Sequence, residues 1–118
     1  MANEFETKVA EVKAKYPDLT QYGFGGKGEI RMEAVNLCAE WLLEHDGLDR
    51  RKTINAVWTS YGIKHVVERV KGQYVANGEL ICAALALGYK MRKARHTSGG
   101  VAFFNIKNPT LEELTCHT

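Results

Sequence analysis

At Gly88 and Tyr89 the spacing of apolar residues changes from helical to alternating, and this change restricts the fold more than any other feature. Upstream, Ile63, Val66, Val67 and Val70 recur at i, i+3, i+4 and i+7, the repeat of one helix face. Downstream, residues 89–93 and 101–106 alternate as strands do. The connection between them holds His96, Thr97, Ser98, Gly99 and Gly100, a hairpin signal. Helices followed by a terminal hairpin make an α+β chain and leave no strands for a parallel sheet.

The upstream part divides into helices. One is predicted over 4–15, with Phe5, Val9, Val12 and Tyr16 near one face. Asn3 is its expected cap, Glu6 completes a capping-box spacing, and Pro17 ends it. A second, over 30–45, buries Ala34, Leu37, Cys38, Trp41 and Leu42 and turns Glu33, Glu40 and Glu44 outward. Asp46 and Gly47 stop it. Leu48 and Asp49 resemble the staple and N-cap of a third helix, over 50–58, that would bury Ile54, Val57 and Trp58. Ser60 is the expected cap of a fourth helix closed by Gly72, and a fifth runs over 78–87. Thr110 and Glu113 stand at capping-box spacing in a short last turn.

A tight helix pair, another helix and a hairpin is the order of a winged-helix domain. The expected fold is α+β and mainly helical with a C-terminal β-hairpin, winged-helix-like, with a helix-turn-helix and a wing. A helical bundle with an appended hairpin is the alternative. With 118 residues the chain has room for a single domain. It reads as an N-terminal helix (1–16), a glycine-rich linker (17–29), a helical core with the hairpin (30–107) and a short tail (108–118).

Composition excludes several classes. No apolar run approaches the roughly 20 residues of a membrane span, and the acidic, polar opening MANEFETK is not expected to be a secretory signal. Cys38, Cys82 and Cys116 are an odd set without C-x-x-C pairing. The first two lie in apolar helical patterns, which predicts buried free thiols and a reducing, cytoplasmic setting. Nothing in the spacing of Cys116 and His117 supports a zinc site.

Gly23, Gly25 and Gly28 spell G-x-G-x-x-G, but a dinucleotide fingerprint needs a strand before it and a βαβ unit around it. The preceding stretch is a turn after a helix. Gly26-Lys27 is followed by Gly28, not by Ser or Thr as a P-loop requires, and Glu29 and Glu33 would repel a phosphate at the next helix start. The loop therefore reads as a mobile linker, and no cofactor is expected. His45, His65, His96 and His117 lie in separate elements, and the Ser60 to His65 spacing does not aim one at the other. The chain offers no catalytic constellation or metal spacing, and a non-enzymatic role is expected.

Charge is split along the chain. Residues 1–49 carry five Lys/Arg against ten Asp/Glu, a net of −5, whereas 50–107 carry eleven against two, a net of +9. Such asymmetry fits a polyanion-binding half or two halves that attract each other. Lys64, Arg69 and Lys71 fall on the fourth helix, and Lys90, Arg92, Lys93 and Arg95 on the first hairpin strand. These seven are the candidate nucleic-acid contacts, mainly to phosphate. Arg50, Arg51 and Lys52 crowd the first turn predicted for the third helix, where positive charge is unfavourable. The alternative is a solvated surface, or ion pairs with the acidic half. The helix before the hairpin, by position the recognition helix, offers no Lys, Arg, Asn or Gln from Gly78 to Leu87. It must be core or an interface, which leaves little direct reading of bases.

Ser60-Tyr61-Gly62-Ile63-Lys64-His65 with Glu68, then Tyr74-Val75-Ala76-Asn77-Gly78, Ile81, Ala83-Ala84, Gly88-Tyr89 and Phe104-Asn105, resembles a module in small proteins of plasmids, prophages and integrated elements. The resemblance covers residues 60–106 and implies a mobile-element or phage setting without a particular reaction. Two functions follow as expectations. One is an accessory or regulatory protein that binds double-stranded DNA through the basic half. The other is an anti-defence protein, for example a CRISPR inhibitor, which binds a host nucleoprotein complex or mimics DNA. A homodimer that buries the apolar fifth helix is a further possibility.

Overall fold

The computed structural model describes residues 3–47, 49–94 and 100–115. Helix α1 (Glu4–Lys15) begins where the Asn3 Oδ1 accepts the Glu6 backbone N–H at 2.7 Å. It buries Val9 and Val12 and ends ahead of Pro17. Helix α2 (Met32–Asp46) buries Ala34, Cys38, Trp41 and Leu42 as the stripe predicts, together with Val35, Ala39 and Asp46. Helix α3 (Ser60–Lys71) buries Ile63, Val66 and Val67 and closes on left-handed Gly72. Helix α4 (Asn77–Ala86) is buried on all sides, and α1, α2 and α3 all pack on it. Leu80, Ile81, Cys82, Ala83 and Ala84 reach full burial there, as expected of a helix without a polar face.

Two small antiparallel hairpins complete the fold. Strands β1 (Leu19–Thr20) and β2 (Gly23–Phe24) come from the glycine-rich stretch. That stretch, read above as a linker, is tied down through its backbone. The Gly78 N–H donates to the Gln21 carbonyl at 2.9 Å, Gln21 N–H to Gly28 at 3.2 Å, and Phe24 N–H to Gly100 at 3.1 Å. Glycine is what permits these approaches. A Cβ on Gly78 would stand 1.7 Å from the Thr20 carbonyl oxygen, and one on Gly100 2.2 Å from that of Phe24. Strands β3 (Met91–Lys93) and β4 (Ala102–Phe104) form the predicted C-terminal hairpin, with Arg92 opposite Phe103. The loop residues 95–99 lie outside the described residues, as do Leu48, the expected staple, and Cys116 and His117.

The helix predicted over 50–58 does not form. Its residues run as irregular chain beside β4, so the tight helix pair preceding α3 is also missing. Asn55 accounts for the difference. Its backbone N–H donates to the Phe104 carbonyl at 2.8 Å, and its side chain donates to Ile106 and Asn108 at 2.9 and 2.7 Å. The same side chain accepts the Val57 N–H, an asparagine-to-backbone bond that competes with helix. Val57, expected in the core, is 79% exposed. Thr59, not Ser60, caps α3, its Oγ1 accepting the Gly62 N–H. Ser60 is buried and joins three elements, donating to Asn77 Oδ1 and accepting the Ala102 N–H.

Short helix α5 (Leu111–Leu114) carries the expected capping box between Thr110 and Glu113. His45 holds it against α2. The imidazole stacks on Trp41 at 4.4 Å and lies between the Glu113 carboxylate and the Lys107 carbonyl. The molecule is therefore α+β, with a helical core around α4 and two hairpins. Among the described residues no helix is long and apolar enough to cross a membrane. Cys38 and Cys82 are buried free thiols, as predicted.

Candidate nucleic-acid interface

The basic half does not gather as one surface. The three cations of α3 are engaged within the fold. Lys64 is 5% exposed, pairs with Glu68, and lies 4.7 Å from the Tyr74 ring centre. Arg69 donates to the Leu114 carbonyl at 2.6 Å and so secures α5. Lys71 reaches across to α2, where its ammonium meets Glu44 at 2.6 Å and Glu40 at 3.0 Å. Partial burial works against that ammonium, but the hydrogen bonds to Glu44 and Glu40 outweigh it and hold its pKa above the ordinary lysine value.

The hairpin cations behave differently. Lys90, Arg92 and Lys93 are exposed. Lys90 and Arg92 lie two residues apart on one side of the strand, and Arg92 covers Phe103 with its guanidinium carbon 5.2 Å from the ring centre. Lys93 turns the other way, over the Phe24 ring at 4.2 Å, and meets Asp18 at 3.6 Å. Both partners of that pair are about half exposed, so its contribution is small. Arg95 lies outside the described residues.

The tertiary structure adds cations that the sequence reading set aside. Buried Asn105 joins the segment 50–52 to the start of the hairpin. Its Oδ1 accepts the Lys90 N–H at 2.7 Å and its Nδ2 donates to the Arg51 carbonyl at 2.9 Å. The Lys90 ammonium in turn donates to the Lys52 carbonyl at 2.9 Å. Arg50 lies over the Tyr89 ring at 3.8 Å and donates to the Leu87 carbonyl at 2.7 Å. The three cations are thus not at a helix start. Arg50 stands at the C-terminal end of α4, where positive charge is favoured. Arg51, Lys52, Lys90 and Arg92 form one basic edge from two segments distant in sequence. Next to it lies an open cleft of ≈ 600 Å³ lined by Arg92, Lys93, Ala94 and Phe103.

Such an edge can hold phosphates by charge and offer one aromatic face, and little else. Helix α4 cannot enter a groove, because the core already surrounds it. Within this chain α1, α2 and α3 already cover it. Among the described residues no group of three or more His, Cys, Asp or Glu is placed to hold a metal ion.

Comparison with known proteins gives no match to a family model, a curated protein or a solved structure.

Proposed function

We propose that this chain is a non-enzymatic nucleic-acid-binding protein that grips phosphates with the edge formed by residues 50–52 and 90–93. The observation that carries the reading is the Asn105 bridge, which holds Arg51 and Lys52 beside Lys90. The hairpin then acts as a wing, and winged-helix-like binding takes place through the wing and its neighbouring loop. With α4 enclosed, contacts go to the backbone and read little sequence. The resemblance over residues 60–106 supports an accessory or regulatory role in a mobile element or phage, with double-stranded DNA as one partner.

The test is a salt titration of binding to duplex and to single-stranded DNA. Replacing Lys90, Arg92 and Lys93 together with glutamine weakens binding to all sequences alike. Each lost phosphate contact lowers the salt slope by about 0.9. Unchanged affinity and slope in that variant refute the assignment. Changing Arg69 and Lys71 instead leaves the slope as it was, because those cations are committed to internal partners.

A second reading rests on another face. Glu33, Glu40 and Glu44 project from α2 as an exposed ridge with the Lys71 ammonium on the last two, and its remaining negative charge favours an anti-defence protein that imitates DNA toward a host nucleoprotein complex. Binding to such a complex that survives the triple glutamine change and fails on neutralising the ridge supports this second reading over the first.

A further inference from the structure

A second cleft, also ≈ 600 Å³, opens at the other end of β4 and has a different character. Tyr22, Tyr61 and Tyr74 line it, each about half exposed (51%, 52% and 51%). They come from three separate places: the β1–β2 turn, the first turn of α3 and the loop before α4. No local pattern in the chain requires them to meet, and about half of each stays exposed although Arg31 lies 5.5 Å from the Tyr74 ring centre and His65 meets Tyr61 edge-on at 4.5 Å. Large aromatics clustered at a surface mark interaction sites more often than scattered single ones do. Lys64 also lines the cleft. Its ammonium lies 4.7 Å from the Tyr74 ring centre and 5.3 Å from that of Tyr61, and the bond to Glu68 engages one of its donors. Thr59 and Asn77 add polar groups, and Val101 closes the side toward the hairpin.

The two clefts are neighbours along one strand face. Ala102 and Phe104 are buried, so Val101 and Phe103 alternate with them and face outward. Val101 lines the tyrosine cleft and Phe103 the cationic one, about 7 Å apart by strand rise. Thr59 pairs directly with Phe103, so the floor of the first cleft continues into the second. A polymer that follows β4 therefore meets cations at one end and aromatic faces around a buried ammonium at the other.

We infer that the tyrosine cleft receives unstacked bases of single-stranded nucleic acid whose phosphates lie on the Lys90–Arg92 edge. The proposal rests on the phosphate-binding reading above and narrows its substrate to single strands. Duplexes hide the faces of their bases, whereas single strands present them to aromatic side chains, and every base has such a face. The Lys64 ammonium supplies a donor for a base carbonyl oxygen on the cleft floor. The adjoining cationic edge favours this polyanion over a peptide as the occupant.

The test uses the full chain and fluorescence anisotropy with four twelve-nucleotide probes. They are oligothymidylate, oligouridylate, an abasic strand with the same phosphates, and a duplex. Oligothymidylate is expected to bind about ten-fold tighter than the abasic strand. Comparison of the thymidylate and uridylate probes tells DNA from RNA as the source of the bases. In the Tyr61→Ala, Tyr74→Ala double variant the affinity for oligothymidylate falls to the abasic level, and binding of the abasic strand and the duplex is unchanged. Tyr61→Phe with Tyr74→Phe restores it, since stacking needs the ring and not the hydroxyl. Equal binding of base-bearing and abasic strands by the unmodified chain overturns the inference without any variant and leaves the phosphate reading standing. Unaltered oligothymidylate binding by a folded double alanine variant also overturns it. Failure to bind any probe removes both readings.

Discussion

Gly78 shows how much of this structure rests on single atoms. The Thr20 carbonyl occupies the place of its missing side chain, 1.7 Å from where a Cβ would be. That oxygen belongs to backbone and cannot rotate aside. Gly78→Ala is expected to cost about 3 kcal/mol, the upper end for overpacking, in a urea denaturation series. Glu79 beside it is wholly buried and acts as a hub. It accepts the backbone N–H groups of Arg31 and Ala76 and holds the Arg31 guanidinium through both oxygens. That hydrogen bond with Glu79 outweighs the loss of solvent and raises the pKa of Arg31. Nothing in the sequence distinguished Glu79 from a solvated helix-start carboxylate. Its role depends on Arg31, 48 residues away. The thiols are a simpler case. Burial pushes the Cys82 pKa up to about 11 and that of Cys38 higher still. At pH 8 both should resist a disulfide reagent in the folded protein and react once it is denatured, as peptide mapping can verify. Above about pH 9 the unfolded chain gives up these protons while the folded chain keeps them, so stability declines as pH rises further.

Among the elements, the segment 50–59 departs most from its sequence pattern. Ile54, Val57 and Trp58 have helical spacing, yet Val57 points to solvent and Asn55 to the interior. The pattern could not reveal that β4 has an edge needing partners, which Asn55 and Thr59 supply through their backbones. Asn55→Ala removes bonds to Ile106, Asn108 and Val57 and leaves the buried Ile106 carbonyl without that donor. A loss of about 2–3 kcal/mol is expected. Amide exchange in β4 should accelerate more than exchange in α1, and equal acceleration in both would argue against the local role given to Asn55. Helix α3 had the opposite fate. Its buried face and its glycine end were legible because they depend on neighbours three and four residues away. The partners of its cations were not legible, because Glu40, Glu44 and Leu114, which engage Lys71 and Arg69, lie in other elements.

For the molecule as a whole, residues 3–28 are a structural part. Helix α1 covers one side of α4, and the β1–β2 hairpin covers its start. A chain begun at Glu29 is expected to expose α4, bind a hydrophobic dye and lose its cooperative thermal transition. Retention of a sharp transition would mean that α2 and α3 suffice to cover α4. The opposite charges of the two halves also acquire a meaning at this scale. Lys71 with Glu40 and Glu44, Lys93 with Asp18, and Lys107 with Asp49 join the basic part to the acidic part. Among the described residues, the edge at Arg51, Lys52, Lys90 and Arg92 takes no part in these ion pairs.

The sequence alone determined the elements whose causes are local. These are the capped helix before Pro17, the apolar stripe of α2, the all-apolar α4 that had to be core, and the change of period that makes a hairpin. Only the tertiary structure decided which cations are free, where the glycine stretch is anchored and which tyrosines share a cleft. Periodicity and capping act over three or four residues, so the chain states them directly. Charge pairing, backbone edges and clefts join residues tens of positions apart, and only the packed molecule fixes those distances.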